Sequence, residues 1–149
     1  MAEYSRILAA VDLSDESGTV VRKARQVAGE HTELHLVFVQ EPMDSVYLGV
    51  VPYGPVFVGL EEVEDKLKRE IKERMRKLGN EFQVPEAHQH ILDGNPAPEI
   101  RRFADENEVD LVVLGTHGQK GVQLLLGSTA NSVLHGVCCD VLAVRIYEC

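Results

Sequence analysis

The sequence predicts a doubly wound α/β domain, on three observations. Short β-rich runs alternate with longer stretches of helical spacing, giving the order β-α-β-α-β-α-β-α-β. The runs at 7–11, 111–114 and 141–146 are nearly all apolar, as parallel strands covered on both faces are. Capping and turn residues, Asp93-Gly94-Asn95-Pro96 among them, punctuate the joins. The expectation is one Rossmann-like domain over residues 1–149, a five-stranded parallel sheet of order 3-2-1-4-5 with helices on both faces, because crossovers are right-handed.

The elements follow in order. Ile7-Leu8-Ala9-Ala10-Val11 is the first strand, and Asp12 follows it. Ser14 or Asp15 is placed to cap a helix whose apolar face is Val20, Ala24, Val27 and Ala28, with Gly29 near its end. Leu34–Val39 reads as the second strand. Residues 41–59, with Pro52, Pro55 and three glycines, read as an irregular loop, unusually long at 19 residues and therefore suited to function or motion. Leu60, Val63, Leu67, Ile71, Met75, Leu78 and Phe82 recur by threes and fours, which makes one helical stripe with a solvated charged face. Ala87–Leu92 is a weaker strand. Asn95 then serves as N-cap and Pro96 as first residue of a helix carrying Ile100, Phe103 and Ala104. Leu111–Leu114 is the clearest buried strand. A glycine-rich loop leads to a helix from about Gly127 and to the last strand, Val141–Ile146.

Composition narrows the function. Apolar residues at 44% and charged residues at 26% are ordinary for a soluble globular chain of 149 residues. A net charge of −9 argues against nonspecific binding to nucleic acid or to anionic membranes, which needs clustered Lys and Arg. The one basic-rich segment, 66–77, is interleaved with acids. No run approaches a membrane span, and no secretory signal precedes the first strand, so a cytoplasmic location is expected. Cys138, Cys139 and Cys149 match neither a disulfide framework nor a metal pattern and read as reduced thiols. His88 and His90 alternate and could share a strand face, but two histidines make a weak metal site, and exposure is the expectation.

In such sheets ligands bind beyond the strand carboxyl ends, where Asp12, Val39-Gln40 and Gly115 onward lie. Gly115-Thr116-His117-Gly118-Gln119-Lys120-Gly121 spaces glycines at i, i+3 and i+6, so backbone N–H groups can approach a ligand closely. Gly127-Ser128-Thr129 opens the next helix, whose N-terminus suits an anion. The two segments form a phosphate cradle or, equally, a glycine-rich connection with a Ser/Thr cap. The stretch is neither a Walker A loop nor a G-x-G-x-x-G fingerprint. Asp12 could also simply cap the first helix or close its turn, and His117 reads as a turn histidine without a nucleophile beside it.

Several segments together resemble universal stress proteins: Ile7–Ser14, Gly94-Asn95-Pro96-Ala97 through Ile100, Asp110–Gly118, Leu126-Gly127-Ser128-Thr129, and Cys139–Arg145. The resemblance implies a small stress-response binding protein, not an enzyme, with ATP or another adenine nucleotide and Mg²⁺ at the strand ends. Ala10, Val11 and Asp12 would line the adenine and ribose side, with Asp12 near ribose or metal, and Val39 would pack on the base. Gly115 and Gly118 would admit ribose and phosphates, with Thr116 and His117 in the same loop. Gly127, Ser128 and Thr129 would donate to phosphate. No catalytic residue and no resident metal site are implied, and a homodimer through strand 141–146 is. Nucleotide-binding members carry G-x2-G-x9-G-[ST], whereas eight residues separate Gly118 from Gly127 here. That short loop, the Asp12-Leu13-Ser14 start and Asp140 in place of proline are similar to the founding branch, which does not bind ATP. The alternatives are therefore a nucleotide-independent dimer acting through protein partners, and a slow ATPase or nucleotide-transfer enzyme on the same fold.

Overall fold

The computed structural model describes residues 3–41, 57–116 and 128–146, with backbone alone at 57–61 and Ser128. The strands are β1 (Arg6–Ala10), β2 (Glu33–Gln40), β3 (Gln89–Asp93), β4 (Leu111–Gly115) and β5 (Asp140–Val144). The helices are α1 (Ser17–Val27), α2 (Phe57–Glu81), α3 (Pro96–Glu106) and α4 (Ser128–Gly136), and a single 3₁₀ turn, Glu86–His88, precedes β3. All strand pairs are parallel, in the order β3-β2-β1-β4-β5.

Strand alternation builds two core layers, because successive side chains leave opposite faces. Ile7, Ala9, Leu34, Leu36, Leu111 and Val113 face α1 and α2, where they meet Val20, Val21, Ala24, Ile71, Met75 and Leu78. Leu8, Val37, Val39, Val112 and Leu114 face the other way, onto Ala97, Ile100, Phe103 and Ala104 of α3 and Ala130 and Val133 of α4. The central strands are buried on both sides, which is why they read as continuous apolar runs.

Several sequence expectations shift. Neither Ser14 nor Asp15 caps α1. Its N-cap is Glu16, without a side-chain bond, and the turn before it is held by Asp12 instead. Val27 lies largely exposed, and the face of α1 is completed by Val21. Helix α2 begins at Phe57, so residues 57–59 are helical and do not belong to the loop expected there; residues 42–56 of that loop lie outside the described set. Only the later part of the α2 stripe is covered: Val63 is 45% exposed, whereas Met75 is fully buried. The third strand starts at Gln89, since the Pro85 turn winds residues 86–88 into the 3₁₀ helix. The last strand spans 140–144, not 141–146. Asn95 and Pro96 take their expected positions, although the Asn95 side chain makes no cap bond. No helix among the described residues is long and apolar enough to cross a membrane.

Candidate site at the carboxyl ends of β1 and β4

The chain winds from β1 outward through β2 to β3, then returns to lay β4 on the other side of β1. The direction of winding therefore reverses between β1 and β4, and the carboxyl ends of the strands at such a switch point are the usual ligand position in sheets of this kind. Register places Ala10 beside both Val37 and Leu114, so the ends of β1, β2 and β4 stand side by side. Val11 extends the ladder by donating its N–H to the Val37 carbonyl at 2.9 Å. Val11 and Val39 are both buried at this end of the sheet, Val11 in the α1/α2 layer and Val39 in the α3/α4 layer.

Asp12 follows immediately. Its Oδ1 accepts from the Ser14 N–H (3.0 Å), the Ser14 hydroxyl (2.6 Å) and the Ser17 hydroxyl (3.1 Å). Leu13, between them, is held at φ 61°, a left-handed conformation that a leucine seldom adopts. The buried Leu13 side chain anchors the turn in the α1/α2 core layer. Asp12 thus closes the turn and ties it to the first residue of α1, the plainer of its two sequence readings. All three bonds go to Oδ1, so among the described residues Oδ2 is the oxygen left for a ligand or a cation.

Gly115 ends β4, pairing with Val144, and the Thr116 N–H donates to the Val144 carbonyl at 2.9 Å. A Cβ at Gly115 would lie 3.0 Å from Ile146 Cδ1 and 3.4 Å from Val20 Cγ2. This glycine therefore has a packing reason of its own, in addition to any close approach by a ligand. Ser128 and Thr129 start α4, with Thr129 half-buried. His117, Gly118 and Gly127, the remaining expected ligand residues, lie outside the described residues. The structure thus gathers Ala10, Val11, Asp12, Val39, Gly115 and Thr116 along one edge.

Two features escaped the sequence. One is the strained Leu13. The other lies at the opposite end of β2, where His35 stacks on His88 with ring centroids 4.1 Å apart and meets His90 with Nδ1 to Nε2 at 3.0 Å. His88 and His90 are half-buried and not exposed as expected. Only the β2–β3 register, which puts Val37 beside His90, brings His35 to them. Among the described residues no three His, Cys, Asp or Glu side chains are grouped to hold a metal ion. The stacked rings of His35 and His88 face one another, so their nitrogens do not converge. Cys138 and Cys139 are free thiols. Burial, and then Asp105, push the Cys139 thiol up to about 11, which keeps it protonated and a poor nucleophile.

The fold defines a class, the doubly wound α/β domain with its switch point between β1 and β4. The universal stress protein family model matches residues 3–145. Universal stress protein A homolog 2 of Coxiella burnetii is 40% identical over 148 residues, 98% of each chain. Among solved structures, universal stress protein UspA from Lactobacillus plantarum superimposes with a TM-score of 0.77 at 26% identity, over 97% of this chain and 100% of that one. A universal stress protein crystallised in complex with cAMP gives a TM-score of 0.62 at 24% identity, over 98% and 100%. The chain belongs to the universal stress protein family.

Proposed function

We propose that this protein is a non-catalytic adenine-nucleotide binder of the stress response, working in the cytoplasm as a homodimer. The observation that carries the reading is the edge itself: the carboxyl ends of β1, β2 and β4 stand side by side, apolar Val11 and Val39 lie on its two faces, and Asp12 follows with an Oδ2 that is uncommitted among the described residues. Apolar side chains suit a purine face, and the uncommitted carboxylate oxygen suits a ribose hydroxyl or a cation. The structural relative in complex with cAMP makes adenine nucleotides the class to test first. Mg²⁺, which usually takes one or two carboxylates plus phosphate oxygens, fits Asp12 as its protein ligand. With Oδ1 locked to three donors, Asp12 is suited to holding a group and poorly suited to moving protons. Gly118, Gly127, Ser128 and Thr129 supply the phosphate end of the site.

Calorimetric titration with ATP–Mg²⁺ and with cAMP tests the reading, using Gly118→Val and Gly127→Val as controls. Micromolar binding lost in both variants is the expected result. It would also show that eight residues between the two glycines suffice. No heat up to millimolar nucleotide, from protein that is folded, overturns the nucleotide site and leaves the partner-binding alternative.

A further inference from the structure

The three histidines away from the candidate site join four pieces of the fold. His35 projects from β2 on the α3 side of the sheet, where Val37 and Val39 are the next residues of the same face. His88 sits on the 3₁₀ turn and stacks on His35 at an interplanar angle of 22°. His90 belongs to the edge strand β3, shares a hydrogen bond with His35, and packs its ring 4.6 Å from that of Phe103 on α3. Among the described residues the charged groups reaching the cluster are Glu33, whose Oε2 lies 3.5 Å from His35 Nε2, and Arg6 of β1, which grips Glu33 at 2.7 Å. The contact from α3 is the uncharged Phe103 ring. At 3.5 Å Glu33 is too far for a good hydrogen bond, and among the described residues His35 Nε2 is otherwise a buried nitrogen without a partner.

We propose that the His35–His88–His90 stack is an acid-sensitive latch: its neutral rings fasten the 3₁₀ turn and the β3 edge to β2, and protonation releases that edge. The reason is the tautomer rule. Between His35 Nδ1 and His90 Nε2 one nitrogen must donate and the other accept, so the bond fails once both rings carry two protons. Two stacked cations also repel each other, and the His35 side chain, only 12% exposed, is poorly placed to be solvated by water. A single carboxylate, already shared with Arg6, does not balance the positive rings of His35 and His90.

The acid–base properties agree with the geometry. Burial, and then His88, hold the His35 ring down at about 4, against a usual 6.5, while Glu33 pulls weakly the other way. Burial and His88 lower His90 as well. At His35 an unfolded chain takes up the proton near pH 6.5, and the folded one resists until about pH 4. The latch therefore stabilises fully above the unfolded value and is lost progressively as pH falls through that window. For His35 alone, with solvent screening allowed for, the folding equilibrium constant drops about tenfold from pH 7.5 to pH 5.

The test is urea unfolding of the full chain at those two pH values, together with hydrogen exchange of the β3 amides, in wild type and in His35→Phe, which keeps a planar ring. Wild type is expected to lose about tenfold in folding equilibrium on acidification. Its amides 89–93 are expected to exchange faster relative to those of β4, after correction for intrinsic rates. His35→Phe is expected to lose most of both responses. An equal acid response in the two proteins, or β3 amides that open no sooner than β4, overturns the latch. If the variant does not fold, NMR titration of the wild-type imidazoles decides: a depressed His35 value supports the latch, and titration at the ordinary value sinks it.

Discussion

At the residue scale Asp12 carries two separable roles. Its Oδ1 holds three donors of the turn that feeds α1, and the proposed ligand would meet Oδ2. Asp12→Ala removes the acceptor and leaves the Ser17 hydroxyl, on a residue only 3% exposed, without its partner. We expect a loss of about 1–2 kcal/mol in urea unfolding, the scale of a lost cap. Asp12→Asn keeps an acceptor oxygen and should unfold close to wild type, so a change in nucleotide affinity in that variant would report the charge alone. An unchanged stability in Asp12→Ala would mean that the serines find other partners. The turn role of Asp12 was one of two readings open in the sequence, because a carboxylate before Leu-Ser is ambiguous until the fold shows which donors surround it. Leu13 gave no signal at all, since nothing in the residue type marks a leucine for a left-handed conformation.

At the scale of elements the helix ends were the least legible, and the reason is specific. Helices α2 and α3 both close with a Schellman motif, Val84 N–H to the Gly79 carbonyl (2.7 Å) and Val109 N–H to the Ala104 carbonyl (2.9 Å). The left-handed position that glycine usually fills is taken by Gln83 (φ 59°) in one and Glu108 (φ 54°) in the other. Without the glycine the sequence carries no stop mark. In contrast, Gly94 did mark its turn: it holds φ 139°, and a Cβ there would come within 2.9 Å of the Glu99 side chain. The Schellman geometry makes a direct prediction. Glu108 is exposed, so Glu108→Gly relieves backbone strain without removing packing and should stabilise the protein by up to about 1 kcal/mol. A rise in the thermal midpoint is the expected readout. A fall would show that the Glu108 side chain contributes more than its backbone costs.

At the scale of the whole molecule, the fold was legible because each central strand is apolar on both faces, a pattern that only a sheet with two covered sides requires. The candidate site was legible as a place, the carboxyl ends of β1 and β4, more than as a set of contacts. Gly115 shows why: its lack of a side chain serves Ile146 and Val20 as much as any ligand. One surface of the sheet still calls for a partner. Strand β5 is an edge with β4 as its neighbour, and its apolar Val141 and Leu142 are only half-covered while Ala143 is exposed. An apolar edge of this kind invites strand pairing, and the homodimer we propose satisfies it with a second copy. Sedimentation equilibrium should then give twice the mass of one chain. Ala143→Lys, at an exposed position where folding should be little affected, places a cation on the edge; across a two-fold axis the same patch meets itself, so the new charges lie near one another and weaken the dimer. Salt supplies an independent check. Each copy carries a net charge of −9, so two copies repel at long range, and adding salt should screen that repulsion and tighten the wild-type dimer. A contact held by cross-strand hydrogen bonds and apolar cover tolerates salt, whereas one held by surface ion pairs would loosen. A wild-type monomer at all ionic strengths, or a dimer indifferent to Ala143→Lys and weakened by salt, would move the interface off β5.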